Sequence, residues 1–390
     1  MNKNPPKLIQ CSHFSLCSGC SINEFVDTPP VLKDVERFFG SKGIQVHLHS
    51  GNATGWRYRA KLAIRGTATQ PVIGLFEEGS HQVIDIPFCK VHHPAINQAV
   101  EYLRHFIKAE QIEPYSEQTC SGELRYVQVI VERSSGKVQL SLVWNAKDAK
   151  DPQIKKRMRS LAQLGDLKEN PGFWHSFWLN FNVRRDNVIF GEKWLLIEGE
   201  EYLWEKFGNT DICFHPASFA QANLDLFELM LKKIKQHVFE HDSIVEFYAG
   251  VGVIGLSLID KCRKIVCCEV VPEAKRCFEN SRSKLLPALA DKIAFQLGSV
   301  EKMLHLLAEG QTVIVDPPRK GIHKSLLKAL QQETSINKII YISCGWPAFQ
   351  RDCDALLFGG WKLKLAEAYL FFPGSNHIEI LCMFIQNEAI

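Results

Sequence analysis

The sequence predicts an α/β protein whose C-terminal half forms a doubly wound, mostly parallel sheet, preceded by an α+β region. The first observation is that short apolar segments alternate with helical patterns beyond residue 212, as they do in βαβ units. The second is that an alternating stretch, LRYVQVIVERSSGKVQLSLVW, predicts two antiparallel strands joined by a turn at SSGK. The predicted strands of the C-terminal half read SIVEFY, KIVCCEV, IAFQL, TVIVD and KIIYISC.

The chain has 390 residues, too many for one ordinary hydrophobic core. The pattern of its residues changes twice along the sequence, which divides it into three regions. We expect a first region, 1–90, that carries a cysteine cluster and an Arg-rich stretch. A central α+β region, 91–212, begins with the helical pattern HPAINQAVEYLRHFIKAE and is expected to pack with the first. The region 213–390 is the predicted catalytic domain.

Composition narrows the class of protein. Hydrophobic residues make up 46% and charged residues 23%, as in folded globular proteins. No apolar run has the length of a membrane span, and MNKNPPKLIQ lacks the apolar core of a signal peptide, so we expect a cytoplasmic protein. The 13 cysteines should then be free thiols, metal ligands or catalytic groups. The net charge of +3 neither indicates nor excludes a nucleic-acid partner.

Three cysteines stand close together in CSHFSLCSGC, namely Cys11, Cys17 and Cys20. Three thiols at this spacing indicate a metal centre that needs a fourth ligand. Cys89, in DIPFCKVHHP, is the best candidate, because most of the other cysteines lie in strands and helices of the C-terminal half. Four thiolates suit either zinc or an iron–sulfur cluster, and the residues alone do not choose between them.

A strand, a glycine turn and a helix follow one another in SIVEFYAGVGVIGLSLI, where Gly250 and Gly252 allow a tight turn near a ligand. The next strand ends at Glu269, which is placed to accept hydrogen bonds from ribose hydroxyls. This predicts a nucleoside-cofactor site. Because Glu246 and Tyr248 precede the glycines, the pattern resembles the S-adenosylmethionine fold more than a dinucleotide fingerprint.

Three reactive side chains are predicted at strand ends. Asp316 ends TVIVD before two prolines, and Cys344 follows KIIYIS, so both should lie at the carboxyl edge of the sheet. Glu379 stands between apolar neighbours and could transfer protons if it is partly desolvated. The alternatives are an ordinary turn for Asp316, a small buried thiol for Cys344, and a solvent-facing strand position for Glu379.

Taken together, FYAGVGVIGL, DPPRKG, YISC…RD and FPGSNHIE, with SFAQAN before them, resemble the motifs of the RNA uracil-C5 methyltransferase family in the same order. The resemblance covers essentially the whole chain and implies a Rossmann-like domain that uses S-adenosylmethionine. It implies that Cys344 is the nucleophile and Glu379 the general base. The cofactor contacts that it implies are Gln221, Tyr248, Glu269 and Asp316, beside the turn at Gly250.

The chemistry implied by this resemblance explains the residue types. Uracil C5 is a poor nucleophile until a thiolate adds to C6 and raises the electron density at C5. C5 can then take the methyl group, and a base must remove the C5 proton so that the thiol can leave. Asp316 would orient the uracil or its addition intermediate. The uridine must be unpaired or flipped out of a helix to reach such a site.

The sequence departs from the family at two places. Gly345 and Trp346 stand where Asn-Pro usually follows the nucleophile, although Arg351 and Asp352 keep their distance from Cys344. Val253 occupies a position that is often polar. These departures leave open an alternative, a cluster-bearing RNA-binding protein with a degenerate catalytic half.

The stretch WRYRAKLAIRG interleaves basic and aromatic residues, as RNA-binding surfaces do. In a strand, Arg57, Arg59 and Lys61 would point to one face, and together with Tyr58 they are the predicted RNA contacts. A solvated strand face is the alternative, but a Tyr-Arg-x-Lys element recurs in the family that the chain resembles. The run KKRMR, at 155–159, is expected to be the polar side of a helix.

The cysteine pattern refines the resemblance. Family members that modify ribosomal RNA carry a 4Fe–4S cluster on a similar pattern, whereas the bacterial tRNA T-loop enzyme lacks it. The resemblance therefore implies a 4Fe–4S cluster on Cys11, Cys17, Cys20 and Cys89, and 23S ribosomal RNA as the partner. A tRNA T-loop methyltransferase is the alternative. We expect the protein to be a monomer that does not have a membrane as a partner.

Overall fold

The computed structural model describes residues 8–164 and 172–386. The first seven residues of the predicted first region lie outside this part of the chain. Two compact units divide it. The first comprises the described residues up to Val26 together with Asn52–Leu203, and the second comprises Asp27–Gly51 together with the described chain from Trp204 onward.

The helices are α1 (Pro30–Gly40), α2 (Pro94–Ala109), α3 (Pro152–Leu164), α4 (Leu224–Gln236), α5 (Val253–Leu258), α6 (Pro272–Ser283), α7 (Pro287–Ala290), α8 (Lys324–Gln332) and α9 (Trp346–Phe358). The strands are β1 (Val46–Ser50), β2 (Arg59–Gly66), β3 (Pro71–Phe76), β4 (Val83–Asp85), β5 (Leu124–Val131), β6 (Val138–Trp144), β7 (Trp174–Phe181), β8 (Lys193–Gly199), β9 (Leu203–Phe207), β10 (Thr210–Phe214), β11 (Ser243–Phe247), β12 (Lys264–Glu269), β13 (Ile293–Leu297), β14 (Thr312–Val315), β15 (Lys338–Ser343), β16 (Lys362–Leu370) and β17 (Glu379–Ile385). None of the helices in the described ranges has the length and apolar character needed to cross a membrane.

The first unit is built on a seven-stranded sheet in the order β4-β3-β2-β5-β6-β7-β8. The predicted hairpin is confirmed, because β5 and β6 pair antiparallel and Gly136, in the turn between them, has a φ of 71°. Alternate residues of β5 and β6 point to one face, where they pack with the apolar stripe of α2 that includes Ile96, Leu103 and Ile107.

The second unit contains an eight-stranded sheet in the order β1-β16-β17-β15-β14-β11-β12-β13. The predicted strands of the C-terminal half correspond to β11, β12, β13, β14 and β15, which pair parallel. The predicted doubly wound sheet is therefore confirmed. Chain order reverses between β11, which continues to β12, and β14 on its other side. Ligands bind at such switch points, outside the carboxyl ends of the strands.

Residues 27–51 belong to the second unit and not to the predicted region 1–90. β1 pairs parallel with β16, so that Val46 stands opposite Ala366. α1 buries Val35 and Phe39 completely in the core of the same unit. The amphipathic pattern of α1 predicts a helix correctly, but such a pattern does not specify the sheet on which the helix packs.

Candidate active site

One cavity of about 670 Å³ lies at the carboxyl edge of the second unit's sheet. Its walls include all seven of the side chains and glycines that the sequence assigns to catalysis and cofactor binding: Gln221, Tyr248, Gly250, Glu269, Asp316, Cys344 and Glu379. They come from the ends of β11, β12, β14 and β15, from the start of β17, and from the loop before α4. The topology therefore gathers residues that are up to 158 positions apart in the sequence (379 − 221).

The turn after β11 has a backbone that few sequences adopt. Tyr248, Gly250 and Gly252 have φ values of 63°, 55° and 81°. A Cβ on Gly252 would lie 2.6 Å from the ring of Phe278, so this glycine is needed for close packing as well as for its φ. The turn brings the Gly250 N–H within 3.0 Å of Glu269.

The carboxylate of Glu269 faces both the turn and the cavity. Its Oε2 accepts the hydrogen bond from Gly250, and its Oε1 accepts two more, from the N–H groups of Val270 (2.8 Å) and Val271 (3.1 Å). A carboxylate offers about four acceptor positions, so one remains on Oε2 for a ligand hydroxyl. Glu269 is thus held in a fixed orientation and retains the capacity predicted for it.

Burial and neighbouring charges shift the pKa values of the reactive groups in the cavity. Burial raises the pKa of Asp316 to about 7. Burial, with the charge of Asp316 as the next cause, raises the pKa of Glu379 to about 8, while Arg319 opposes the shift. Burial, then Glu379 and Asp316, raise the pKa of Cys344 to about 11, again opposed by Arg319. Cys344 therefore rests as a thiol at neutral pH, and Glu379 is a stronger base than an exposed carboxylate.

Gly345 and Trp346, which stand in place of the family's Asn-Pro, have close neighbours in the structure. A Cβ on Gly345 would lie 2.4 Å from the carbonyl oxygen of Arg319, so glycine permits close contact between the Cys344 turn and the loop after β14. Trp346 packs on Phe38, Phe39 and Phe349, with ring centroids 5.3, 5.9 and 5.8 Å away. Neither change removes Cys344 from the cavity.

Arg319 and Phe219 also line this cavity, and the sequence motifs assigned them no role. Arg319, within DPPRKG, lines the cavity, and its charge opposes the upward pKa shifts of Cys344 and Glu379 described above. Phe219, within SFAQAN, lines the cavity with 74% of its surface exposed. Arg319 stands only three residues after Asp316, and this closeness could have suggested a role for it. Sequence spacing does not show, however, that its side chain lines the same cavity as the thiol.

The four predicted metal ligands, Cys11, Cys17, Cys20 and Cys89, lie around a single cavity of about 270 Å³ in the first unit. His13, His92, Arg57 and Lys61 also contribute to its walls. The Sγ of Cys17 accepts a hydrogen bond from the Gly19 N–H at 3.3 Å. Within residues 8–164 and 172–386, however, no three His, Cys, Asp or Glu side chains are arranged to hold one metal ion. The cysteines are gathered as predicted, whereas the metal centre stays a prediction.

The predicted RNA contacts lie in β2 and in the two residues just before it. Arg57 precedes β2 and lines the cysteine cavity, where it lies 4.8 Å from the Trp56 ring. Tyr58 lies 5.2 Å from the ring of His93. Arg59 and Lys61 are in β2, a central strand, and the Lys61 ammonium lies 4.5 Å from the Phe190 ring. Arg57 and Lys61 both line the cysteine cavity, and the RNA contacts stay a prediction.

The run at 155–159 is helical, in α3, as predicted. Its central arginine is not part of a simple polar face. Arg157 pairs with Glu123 at 2.8 Å and donates to the carbonyl oxygen of Glu110 at 2.6 Å. Arg157 therefore ties α3 to its own unit.

Comparison with known proteins indicates the class of protein to which this fold and site belong. No family model matches the chain. An uncharacterized RNA methyltransferase of Protochlamydia amoebophila is 48% identical over 376 residues, which are 96% of this chain and 97% of the relative. An uncharacterized RNA methyltransferase of Halalkalibacterium halodurans is 25% identical over 386 residues, 95% of this chain and 81% of the relative.

The fold is that of a Rossmann-like methyltransferase. The structure of the Pyrococcus abyssi tRNA (uracil-54, C5)-methyltransferase, in complex with S-adenosyl-L-homocysteine, matches with a TM-score of 0.73 and 24% identity. The match covers 95% of this chain and 86% of that one. With the 48% identity to the Protochlamydia protein, the chain belongs to the RNA methyltransferase family.

Proposed function

We propose that the protein methylates C5 of a uridine in RNA, with S-adenosylmethionine as the methyl donor. The observation that carries this proposal is the single cavity in which Cys344, Glu379, Asp316 and Glu269 meet. A thiol, a desolvated carboxyl group and a nucleoside site are the three elements that the reaction needs. The Pyrococcus abyssi protein, which shares the fold, is by its name a methyltransferase for the same atom of uracil.

The residues fit the methyl donor. Gln221, Tyr248, Gly250, Glu269 and Asp316 would hold it, with the free acceptor position of Glu269 on a ribose hydroxyl. The donor would supply an electrophilic methyl group on a sulfonium. The acidic groups at this end of the cavity suit that positive charge.

Cys344 would lose its proton to water and form a bond from Sγ to C6 of the uracil, which places electron density at C5. C5 would gain the methyl group as the methyl–sulfonium bond breaks and S-adenosylhomocysteine leaves, and Glu379 would then accept the C5 proton. The Sγ–C6 bond then breaks and the C5–C6 double bond returns. The raised pKa of Glu379, about 8, suits this role because a general base works best when its pKa lies near the working pH.

The proposed target is 23S ribosomal RNA, and the basis is the four-cysteine pattern of the branch that modifies ribosomal RNA. The Pyrococcus abyssi protein acts on tRNA, so tRNA is the competing substrate. Mapping 5-methyluridine by mass spectrometry in both RNAs, from cells with and without the gene, tests the choice. A methyl group lost from tRNA alone would overturn the ribosomal target, and S-adenosylmethionine binding without any 5-methyluridine would overturn the proposed activity.

We also propose that Cys11, Cys17, Cys20 and Cys89 hold a 4Fe–4S cluster. In the described part of the chain these four thiols line one cavity. Four thiolates are the ligands that such a cluster needs. Its role would be structural, since this methyl transfer moves no electrons. Arg57, Tyr58, Arg59 and Lys61 remain the proposed RNA contacts of the same unit.

A further inference from the structure

Asp352, in α9, is completely buried and connects three parts of the second unit. Its Oδ2 accepts hydrogen bonds from the Ile322 N–H at 2.7 Å and from the Tyr341 hydroxyl at 2.8 Å. Its Oδ1 accepts from Nε and Nη2 of Arg351, at 3.0 and 2.7 Å. Arg351 Nη2 also donates to the carbonyl oxygen of Lys320 at 2.8 Å. The Arg351–Asp352 pair is therefore attached to residues 320–322 by two separate hydrogen bonds.

Two glycines allow residues 319–321 to lie in close contact with α9 and with the turn that precedes it. A Cβ on Gly321 would lie 2.3 Å from Asp352 Oδ2, and a Cβ on Gly345 would lie 2.4 Å from the Arg319 oxygen. Residues 319–321 thus pack directly against the turn after Cys344 and against the first turns of α9. Gly345 is the N-cap of α9, so this packing acts on the residue next to the thiol.

The next residue of the loop is tied to the opposite wall of the cavity. The N–H of His323 donates to the Tyr248 hydroxyl at 2.9 Å, and Tyr248 begins the turn proposed to hold the methyl donor. Two adjacent residues of the loop therefore bond to different parts of the site. Ile322 bonds to Asp352, near the proposed nucleophile, and His323 bonds to Tyr248, near the proposed methyl-donor site. The position of this loop sets both the place of Arg319 and the spacing of the two sides.

We propose that Asp352 is a positioning residue for methyl transfer, which holds loop 319–323 so that Arg319 stays beside Cys344. This inference rests on the proposed function, because it takes Cys344 as the nucleophile. Asp352 does not line the cavity and would not touch the RNA or the methyl donor. Its effect would pass through the loop to the thiol.

A buried carboxylate can also matter for stability alone, so a matched control is needed. Glu367, in β16, is equally buried and pairs with Lys233 (2.6 Å) and His49 (2.8 Å) in the same unit. It lies outside the cavity wall. Asp352→Asn and Glu367→Gln each remove one buried negative charge and keep the side-chain shape.

The test is the alkylation of Cys344 by iodoacetamide in the full-length protein, followed by mass spectrometry of the peptide Ile339–Arg351 over a range of pH. Cys344 is faced by Arg319 from the loop after β14, by Asp316 from the end of β14, and by Glu379 from β17. If Asp352→Asn frees the loop, Arg319 moves away and the two carboxyl groups remain. We expect the midpoint of the alkylation profile to rise, so that the rate at fixed pH falls by about threefold or more.

Under the same conditions Glu367→Gln should alkylate within about twofold of the wild-type rate, even if it melts at a similar temperature to Asp352→Asn. In methyl transfer, Asp352→Asn should lower kcat by roughly tenfold or more and leave KM for RNA within about twofold, as expected for misplaced reacting groups. Identical alkylation profiles for the wild type, Asp352→Asn and Glu367→Gln would overturn the proposal.

If Asp352→Asn does not fold, Arg351→Gln provides the second test, because the Arg351 side chain is 59% exposed. It removes the bond to Lys320 and should slow alkylation in the same direction, whereas an unchanged profile would overturn the proposal. Alkylation needs neither RNA nor methyl donor. A wild-type protein that methylates no RNA would therefore refute the proposed function, while the alkylation profiles still decide whether Asp352 positions the loop.

Discussion

Cys344 and Glu379 flank the last residue pair of an antiparallel ladder. Ser343 of β15 pairs with Ile380 of β17, Cys344 directly follows Ser343, and Glu379 directly precedes Ile380. Because β17 runs against its neighbours, its first residue meets the last residues of the parallel strands. The thiol and the carboxyl group therefore enter one cavity, although 35 positions (379 − 344) separate them in the sequence.

Replacing the thiol is expected to abolish product. Cys344→Ala should lower 5-methyluridine formation by at least about a thousandfold, because C5 of uracil is not activated without an adduct at C6. The measurement is methyl transfer to RNA by mass spectrometry. Cys120→Ser, which changes a cysteine of the first unit, should retain the wild-type rate.

Replacing the base should stop the reaction after methylation of C5. In Glu379→Gln the C5 proton has no acceptor, so the covalent protein–RNA species should accumulate and turnover should fall by roughly a hundredfold or more. Denaturing gels with and without ribonuclease detect the adduct. The double variant Cys344→Ala with Glu379→Gln should give none, and an adduct that survives in it would mean that another residue is the nucleophile.

The buried carboxyl groups predict a specific dependence of stability on pH. The pKa of Glu379 is about 8 in the folded protein and about 4.5 when exposed, so the folded state binds more protons between these values. Its contribution to stability is therefore fully present at low pH and is lost as pH rises toward 8. Glu379→Gln should therefore become increasingly more stable than the wild type as the pH rises over this range.

Thermal unfolding of the two proteins across this pH range measures the difference. For a domain of this size we expect a shift in Tm of a few degrees, about 2–4 °C for each kcal/mol. Equal melting temperatures at every pH would show that Glu379 is not buried as a proton-binding group.

Gly345 is expected to be required for a steric reason. Its φ of −123° is open to any residue, so Gly345→Ala would strain nothing but the contact with the Arg319 oxygen, 2.4 Å from the new Cβ. This substitution should push the loop away and lower kcat by roughly tenfold. Gly40→Ala, at the end of α1 where a Cβ meets no atom within 4 Å, is the control and should keep full activity. Full activity in Gly345→Ala would contradict the close packing.

The cluster proposal predicts metal content. The wild-type protein, purified without oxygen, should carry about four irons and four acid-labile sulfides per chain. Cys89→Ser removes one of the four ligands and should lose most of this iron, whereas Cys120→Ser should keep it. Zinc in place of iron would contradict the 4Fe–4S assignment.

Much of the catalytic domain could be predicted from the sequence, because buried parallel strands such as SIVEFY and KIIYIS are short, continuous apolar runs between helical patterns. Their carboxyl ends meet at one edge, so the sequence alone places Glu269, Asp316 and Cys344 together. The departure at Gly345 could be seen in the sequence but not explained, since its cause is contact with a distant loop.

Other features depend on tertiary packing that local patterns do not encode. α1 and β1 join the second unit because their apolar faces fit its core and the edge of β16. The amphipathic pattern of α1 shows that a helix forms there, but it does not show the surface on which the helix packs.

The most direct test of the account is methyl transfer by wild-type protein and Cys344→Ala, side by side, to ribosomal RNA from a strain that lacks the gene. With S-adenosylmethionine, the wild type should add 5-methyluridine to 23S RNA at a defined position, and Cys344→Ala should add none. Equal 5-methyluridine from both proteins would contradict the proposed role of Cys344, and none from the wild type with any RNA would contradict the proposed function.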